Sequence, residues 1–464
     1  MIELQQLRVC SAQVLWCFVV LMIVQLSTQR VLVVSAERPN IVLIMADDLG
    51  YGDLGCYGSE INPTEHIDAL AEHGLRFLDF HSAGPMCSPT RAATMTGQYQ
   101  QRFGRMFDTA ISGSTQHDRG LPHEAQTVAE VLKPVGYVSA CFGKWHLGYR
   151  PPFLPLDQGF DEFRGLGSGD GDFHTHIDRL GREDWWQGNE LRDEVGYTTD
   201  LLTRSSVDFI ARNHQQPFFL YVPHLAIHFP WQGPEDPPHR VKGRSYLEDK
   251  FGIIPDPSNV APHVKAMIRS LDASVGAIMA ELRKWQLEEK TLVIFTSDNG
   301  GYVSYGRDFR NISSNGPLRG QKTELYEGGH RVPMIMSWPG KIQAGVTDAT
   351  TNSIDLLPTF AALAGIDPAR HRFDGVDLSA LIFGGEPLGP RTLFWRAGGG
   401  AKAVRQGPWK LLMRGKQTEL YHLGDDLGEQ HDLADSQGEL VARLAEAWQD
   451  WEADVNQSAK QFEP

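Results

Sequence analysis

The sequence predicts an α/β fold, a central sheet with helices on its faces, followed by a small C-terminal antiparallel sheet closed by a helix. Three observations carry that expectation. Short, nearly all-apolar runs recur and stop abruptly at acidic or amide residues, as strands buried on both faces do. Apolar residues at three- and four-residue spacing lie between them, the period of amphipathic helices. Beyond residue 385 the texture changes to short strand-like runs separated by Gly-rich or basic turns. With 464 residues and 41% hydrophobic content, the chain suits one large α/β unit with an appended subdomain. The same composition excludes a disordered polymer, a coiled coil and a disulfide-stapled mini-protein.

Each segment can be justified in order. Residues 9–29 carry no charge, Arg8 supplies a positive flank, and Val34-Ser35-Ala36 is a small-residue cleavage pattern. Residues 1–36 therefore read as an export signal, placing the protein outside the cytoplasm (periplasmic, secreted or lumenal). An uncleaved anchor is the competing reading, because the run approaches the length of a membrane span. The main unit is expected over residues 37–384. Its strands are residues 40–46 (NIVLIMA, stopping at Asp47-Asp48), 218–222 (FFLYV), 292–296 (LVIFT, running into Ser297-Asp298-Asn299-Gly300) and 334–338. Its helices include residues 263–286, with Val264, Met267, Leu271, Val275, Ile278, Leu282 and Trp285 on one stripe, and 353–364, ended by Gly365. The subdomain, residues 385–464, has strand-like runs at 392–396, 402–405, 409–413 and 418–422, then an amphipathic helix at 438–454.

Charge and cysteine usage narrow the function. With 43 Lys+Arg against 58 Asp+Glu the net charge is −15, which argues against a nucleic-acid binder. A small anionic substrate is still allowed, since a site can be locally positive inside an acidic shell. Setting aside Cys10 and Cys17 leaves Cys56, Cys87 and Cys141, an odd number with no CxxC pair, so no disulfide framework is expected.

In open α/β sheets ligands sit beyond the carboxyl ends of the strands, where Asp47-Asp48 and Asp298-Asn299 fall. Carboxylates and a carboxamide converging there call for a hard cation, Ca²⁺ or Mg²⁺. The plainer alternative is that each pair caps a following turn. In Cys87-Ser88-Pro89-Thr90-Arg91, Pro89 marks a first helical turn and Gly97 a stop. Cys87 then lies at a helix N-terminus, where anionic chemistry is favoured, with Arg91 returning to its face four residues on.

CSPTR followed by AATMTG resembles the signature of the formylglycine-dependent sulfatases, in which the Cys is converted to Cα-formylglycine. RPNIVLIMADDLGYGDLGCYG, GKWHLG (143–148), QGFDEFRG (158–165), SDNGG (297–301) and LRGQKTELYEGGHRVPMI (318–335) resemble further segments of that family in the same order. The resemblance implies an alkaline-phosphatase-like sandwich with a mostly parallel central sheet and a small C-terminal antiparallel sheet. It also implies a sulfuric ester hydrolase of the arylsulfatase or N-acetylgalactosamine-6-sulfatase kind. In that chemistry the aldehyde made from Cys87 is hydrated, one hydroxyl attacks sulfur, and the second loses a proton to expel sulfate.

The remaining roles are also what the resemblance implies. Asp47, Asp48, Asp298 and Asn299, with converted Cys87, match ligands of one Ca²⁺, and Arg91 supports that oxyanion. Lys144 and Lys322 contact the sulfate; Lys144 and His146, two apart, would point the same way from an extended segment. His146 assists deprotonation, His228 protonates the leaving alcohol, and His224 is structural. Ser168, His174 and His176 are substrate-contact candidates, His176 being favoured, and Trp185-Trp186 a possible sugar platform. The expected partners are a sulfated small molecule or oligosaccharide and a formylglycine-generating enzyme, and no nucleic acid. Two other readings compete, a phosphodiesterase or phosphonate monoester hydrolase of the same superfamily and an inert carbohydrate-binding relative. Thr94 departs from the family's usual apolar residue.

Overall fold

The computed structural model describes residues 38–248, 259–306 and 308–462, so the expected export signal lies outside the described residues. Pro39–Pro464 clusters as one compact unit, within which the expected boundary at 384/385 follows a short helix, Ser379–Gly384.

Strand β1 (Asn40–Ala46) occupies the middle of the main sheet, and its seven residues are all buried. Alternate side chains feed two cores. Ile41, Leu43 and Met45 join one, with Met95 of the Cys87–Thr96 helix and Phe360 of the Leu356–Leu363 helix. Val42 and Ile44 join the other, with Phe209 of the Thr198–Asn213 helix and Leu271 of the Ala261–Lys284 helix. Burial on both faces is why these strands read as unbroken apolar runs.

In chain order the other strands of the sheet are β2 (Leu75–Phe77), β4 (Val138–Lys144), β5 (Glu162–Leu166), β6 (Trp186–Gln187), β7 (Glu190–Leu191), β8 (Phe218–Pro223), β9 (Thr291–Ser297), β12 (Met334–Ser337) and β13 (Gly345–Thr347). Their order across the sheet is β13-β2-β12-β9-β1-β8-β4-β5-β6-β7. The five strands from β9 to β5 run parallel, and β12 and β6 flank them antiparallel. Short ribbons β3 (Phe80–His81) with β14 (Thr351–Asn352), and β10 (Ser304–Tyr305) with β11 (Phe309–Arg310), lie apart from this sheet. The fold is therefore the expected mixed α/β sandwich.

The C-terminal sheet β15 (Thr392–Ala397), β16 (Ala401–Gln406), β17 (Trp409–Arg414) and β18 (Gln417–His422) is an antiparallel meander, as expected. The final helix runs Gly438–Ala459, five residues past the expected end. Its apolar stripe, Leu444, Trp448, Trp451 and Val455, packs on Val404, Leu411 and Leu420 of the meander.

Polar groups also join the meander to a helix and a loop of the main unit, Glu327–His330 and the segment at Asp79. Lys410 of β17 is buried and donates to Glu327 Oε1 at 2.8 Å, while Arg405 of β16 donates to Asp79 Oδ2 at 2.8 Å. His81 Nε2 meets Asp79 at 2.8 Å and its Nδ1 meets His330 Nδ1 at 3.0 Å. His81, Glu327 and His330 are grouped closely enough to suggest a metal site. Lys410, 3.2 Å from His330 Nε2, and Arg405 already supply the compensating positive charge there.

Candidate active site

Register explains how distant acidic pairs converge. Ala46 of β1 pairs with Ser297 of β9, so the next residues, Asp47 and Asp298, leave adjacent parallel strands side by side. Asp48 N–H donates to Asp298 Oδ1 at 3.2 Å, and Asn299 Nδ2 donates to Asp48 Oδ1 at 2.9 Å. Asp48 has φ 63°, a left-handed conformation that Asp tolerates better than most residues. At the neighbouring turn a side chain at Gly300 would collide with the Gly328 carbonyl, so only glycine fits.

Cys87 opens the Cys87–Thr96 helix, every residue of which is buried, and is itself 2% exposed. Met86 before it is extended (φ −153°) and Gly97 after it is left-handed (φ 64°), as the stop signal predicted. Thr94 donates its hydroxyl to the Thr90 carbonyl at 2.9 Å, which satisfies a polar residue in an otherwise apolar setting.

Around Cys87 Sγ stand Asp47 Oδ1 at 3.4 Å, Lys144 Nζ at 3.3 Å and Lys322 Nζ at 3.2 Å. Lys144 also donates to Asp47, and Lys322 to Asp48. Arg91 donates through Nε (3.0 Å) and Nη2 (2.8 Å) to Asp298 Oδ2, and through Nη1 to the Lys144 carbonyl. Lys144 ends β4, which places it at the same carboxyl edge as the acidic pairs.

Burial, then repulsion from Asp298, pushes the Asp47 carboxyl well above its ordinary value. Burial also disfavours the Asp298 carboxylate, but Arg91, Lys144 and Lys322 outweigh it and hold its pKa down. Burial pushes the Cys87 thiol up to about 12, so the unmodified side chain is a thiol rather than a thiolate. Burial disfavours the Lys322 ammonium, but the Asp48 carboxylate it donates to outweighs that cost and keeps it cationic.

The donor set fits a hard divalent cation. Asp47, Asp48 and Asp298 offer carboxylate oxygens and Asn299 an amide oxygen, all buried, with Asp48 linked by hydrogen bonds to Asp298 and Asn299. Asn299 Oδ1 is buried and has no hydrogen-bond partner among the described residues, an orphan that a cation would satisfy.

Cys87 and Lys322 line a cavity of about 260 Å³ together with His146, His228, Ser168, Tyr149 and Tyr302 among others. His146 does not continue β4 as an extended residue. Its φ is 55°, so the extended-segment argument for a shared direction with Lys144 fails, although it still reaches the cavity. Its Nε2 faces the Ile111 carbonyl at 3.0 Å, and a side chain at Gly169 would collide with its ring. His228 Nδ1 faces its neighbour's carbonyl, Phe229 O, at 2.7 Å, and Nε2 lies 3.9 Å from Asp48 Oδ2. Burial, reinforced by Lys144, depresses both imidazole pKa values, with Lys322 adding to the effect.

Ser168 lines the cavity, with its hydroxyl donating to the Asp170 carbonyl at 2.8 Å. His176 is buried and stacks on Trp185, ring centroids 4.3 Å apart, and is not among the lining residues. His174 is half-buried and also outside the lining, as are Trp185 and Trp186, which are packed into the core. His224 Nε2 meets Ser274 Oγ at 3.2 Å, a packing contact. Cys56, Cys87 and Cys141 are all free. Sequence reasoning missed Arg179, Asp170, Tyr149 and Tyr302 in the wall. They stand on loops; Tyr149 just follows GKWHLG, Asp170 lies inside GSGDGDFHTH and Tyr302 just follows SDNGG, whereas no segment in the sequence marks Arg179.

Comparison with known proteins gives concordant matches. Residues 39–366 match the Sulfatase family model. The chain is 37% identical over 409 residues to arylsulfatase A of Homo sapiens, covering 81% of this chain and 75% of that one. It is 36% identical over 399 residues to N-acetylgalactosamine-6-sulfatase of Canis lupus familiaris, covering 81% and 72%. Among solved structures, Ps i-CgsB in complex with k-i-k-neocarrahexaose superposes with TM-score 0.78 at 31% identity, covering 91% of this chain and 94% of that one.

Proposed function

The chain belongs to the sulfatase family, and from that premise we propose that it hydrolyses an O-sulfate ester of a sulfated carbohydrate in the cavity above Cys87. The observation that carries the reading is Cys87 at the head of a buried helix, with two lysine ammoniums within 3.3 Å of its sulfur. Two buried cations about one atom describe a receptor for an anion's oxygens.

Lys144 and Lys322 bind the sulfate oxygens and draw charge away from sulfur as the ester bond breaks. Arg91, fixed on Asp298, anchors the strand end that carries Lys144. His228 protonates the departing sugar oxygen through Nε2, since a carbonyl partner assigns its resting proton to Nδ1. An arriving sulfate opposes the two lysines that depress this imidazole and so favours its protonated form. His146 donates its Nε2–H as a hydrogen bond to the Ile111 carbonyl, leaving Nδ1, which has no partner among the described residues, to accept a proton in the cavity.

Asp47, Asp48, Asp298 and Asn299 would hold a divalent cation, Ca²⁺ being the family's usual ion. When bound it would neutralise the crowded carboxylates and polarise an oxygen at the Cys87 position. Converted to Cα-formylglycine by a separate enzyme, Cys87 would supply an oxygen nucleophile in place of a thiol that cannot complete the cycle. Ser168 is retained as a substrate contact. His176, stacked on Trp185, is assigned to shaping that segment rather than to touching substrate. The apolar run at 9–29 supports export. Among the described residues no helix is long and apolar enough to cross a membrane.

The test is the mass of the tryptic peptide containing Cys87, from protein active on a sulfated saccharide. Conversion lowers the mass by about 18 Da, one carbonyl oxygen replacing SH and H. An intact thiol in fully active protein would defeat the nucleophile assignment.

A further inference from the structure

We propose that Arg179 is a specificity residue that binds a second anionic group of the substrate, a carboxylate or a further sulfate ester beside the one that is hydrolysed. The proposal rests on the sulfatase reading and adds the charge of the remaining saccharide. Arg179 lines the same cavity as Cys87 and Lys322, with its side chain 35% exposed.

Its position is fixed at two points. Nε donates to Asp170 Oδ1 at 3.0 Å, and the guanidinium carbon lies 5.0 Å from the ring centre of Phe229, the neighbour of His228. No hydrogen bond occupies the two terminal nitrogens among the described residues. A held guanidinium with its outer edge free is the fork that carboxylates and sulfates engage in pairs of hydrogen bonds.

The local charge balance favours an anion. Asp170 is shared between Arg179 and the buried Arg240, whose Nη2 donates to Asp170 Oδ2 at 2.9 Å. One carboxylate between two guanidiniums leaves a net positive charge in the wall. The other acid of that wall, Asp178, is consumed internally. Its Oδ1 accepts from Leu180 N and Arg182 N, both at 2.8 Å, and its Oδ2 from Arg182 Nε at 3.0 Å. Among the described residues, the wall therefore presents one guanidinium whose terminal nitrogens carry no hydrogen bond, separate from the two lysines at Cys87.

The experiment compares three saccharides that share one scissile sulfate: one otherwise neutral, one with an adjacent carboxylate, one with an adjacent second sulfate. Wild-type protein is expected to favour one or both dianionic compounds over the neutral one by about ten- to hundredfold in kcat/KM. Whichever compound is favoured identifies the source of the anion. Arg179→Ala should collapse that ratio towards one, mainly through KM, and Arg179→Lys should restore part of it. Absence of a wild-type preference, or an equal loss on all three compounds in both variants, would overturn the proposal. Failure of wild-type protein to cleave any sulfate ester, aryl sulfates included, would instead overturn the sulfatase reading itself.

Discussion

Two histidines in the cavity wall are held in opposite tautomers by backbone carbonyls, His228 by Phe229 and His146 by Ile111. In the proposed mechanism the difference gives them different work, which a substitution can separate. His228→Ala should cost esters of poor leaving groups about 10²- to 10⁴-fold in kcat, and activated aryl sulfates far less, because only the former need a proton. Equal losses on both, measured across a leaving-group series, would remove the general-acid role. Much of this site was legible residue by residue through the family signature, because Cys87, Arg91 and the acidic pairs sit in contiguous motifs. What was not legible was direction. The period-2 argument that aligned Lys144 with His146 fails because the chain turns left-handed at His146, and no spacing rule foretells that turn. His176 was favoured for its place in a motif, yet its ring is taken up by Trp185.

At the scale of elements, the buried runs of β1, β8 and β9 declared themselves, whereas β4 (VSACFGK) and β2 (LRF) did not. Their small and charged residues lack the apolar density of a central strand, and tertiary pairing selects them instead. The attachment of the C-terminal meander is also invisible in sequence, since Lys410 and Glu327 are 83 residues apart. Lys410→Ala leaves Glu327 facing His330 and His81 without its main counter-charge. A loss of about 3–5 kcal/mol is expected, read by urea unfolding; a loss below about 1 kcal/mol would mark the pair as dispensable. Lys410→Met should recover part of it through packing.

For the whole molecule, the net charge of −15 and the crowded carboxylates make folding sensitive to cations and to acid. Adding Ca²⁺ at about 100 times its dissociation constant should raise stability by about 2.7 kcal/mol, and chelation should abolish turnover. A melting temperature indifferent to both would remove the metal assignment. His224 supplies a separate pH signature. Burial lowers its pKa from 6.5 to about 3, so the unfolded chain takes up a proton that the fold refuses. Its contribution to stability is intact above pH 6.5 and falls by about 1.4 kcal/mol per pH unit on acidification towards about 3. His224→Phe should flatten that slope in acid melts, and an unchanged slope would place the effect elsewhere. The burial of Cys87 has a last consequence, for the order of events in biosynthesis. A thiol 2% exposed in the lining of a cavity of about 260 Å³ is poorly presented to another enzyme's catalytic centre. On the proposed chemistry, the thiol is easier for a converting enzyme to reach before the chain has closed around it than after.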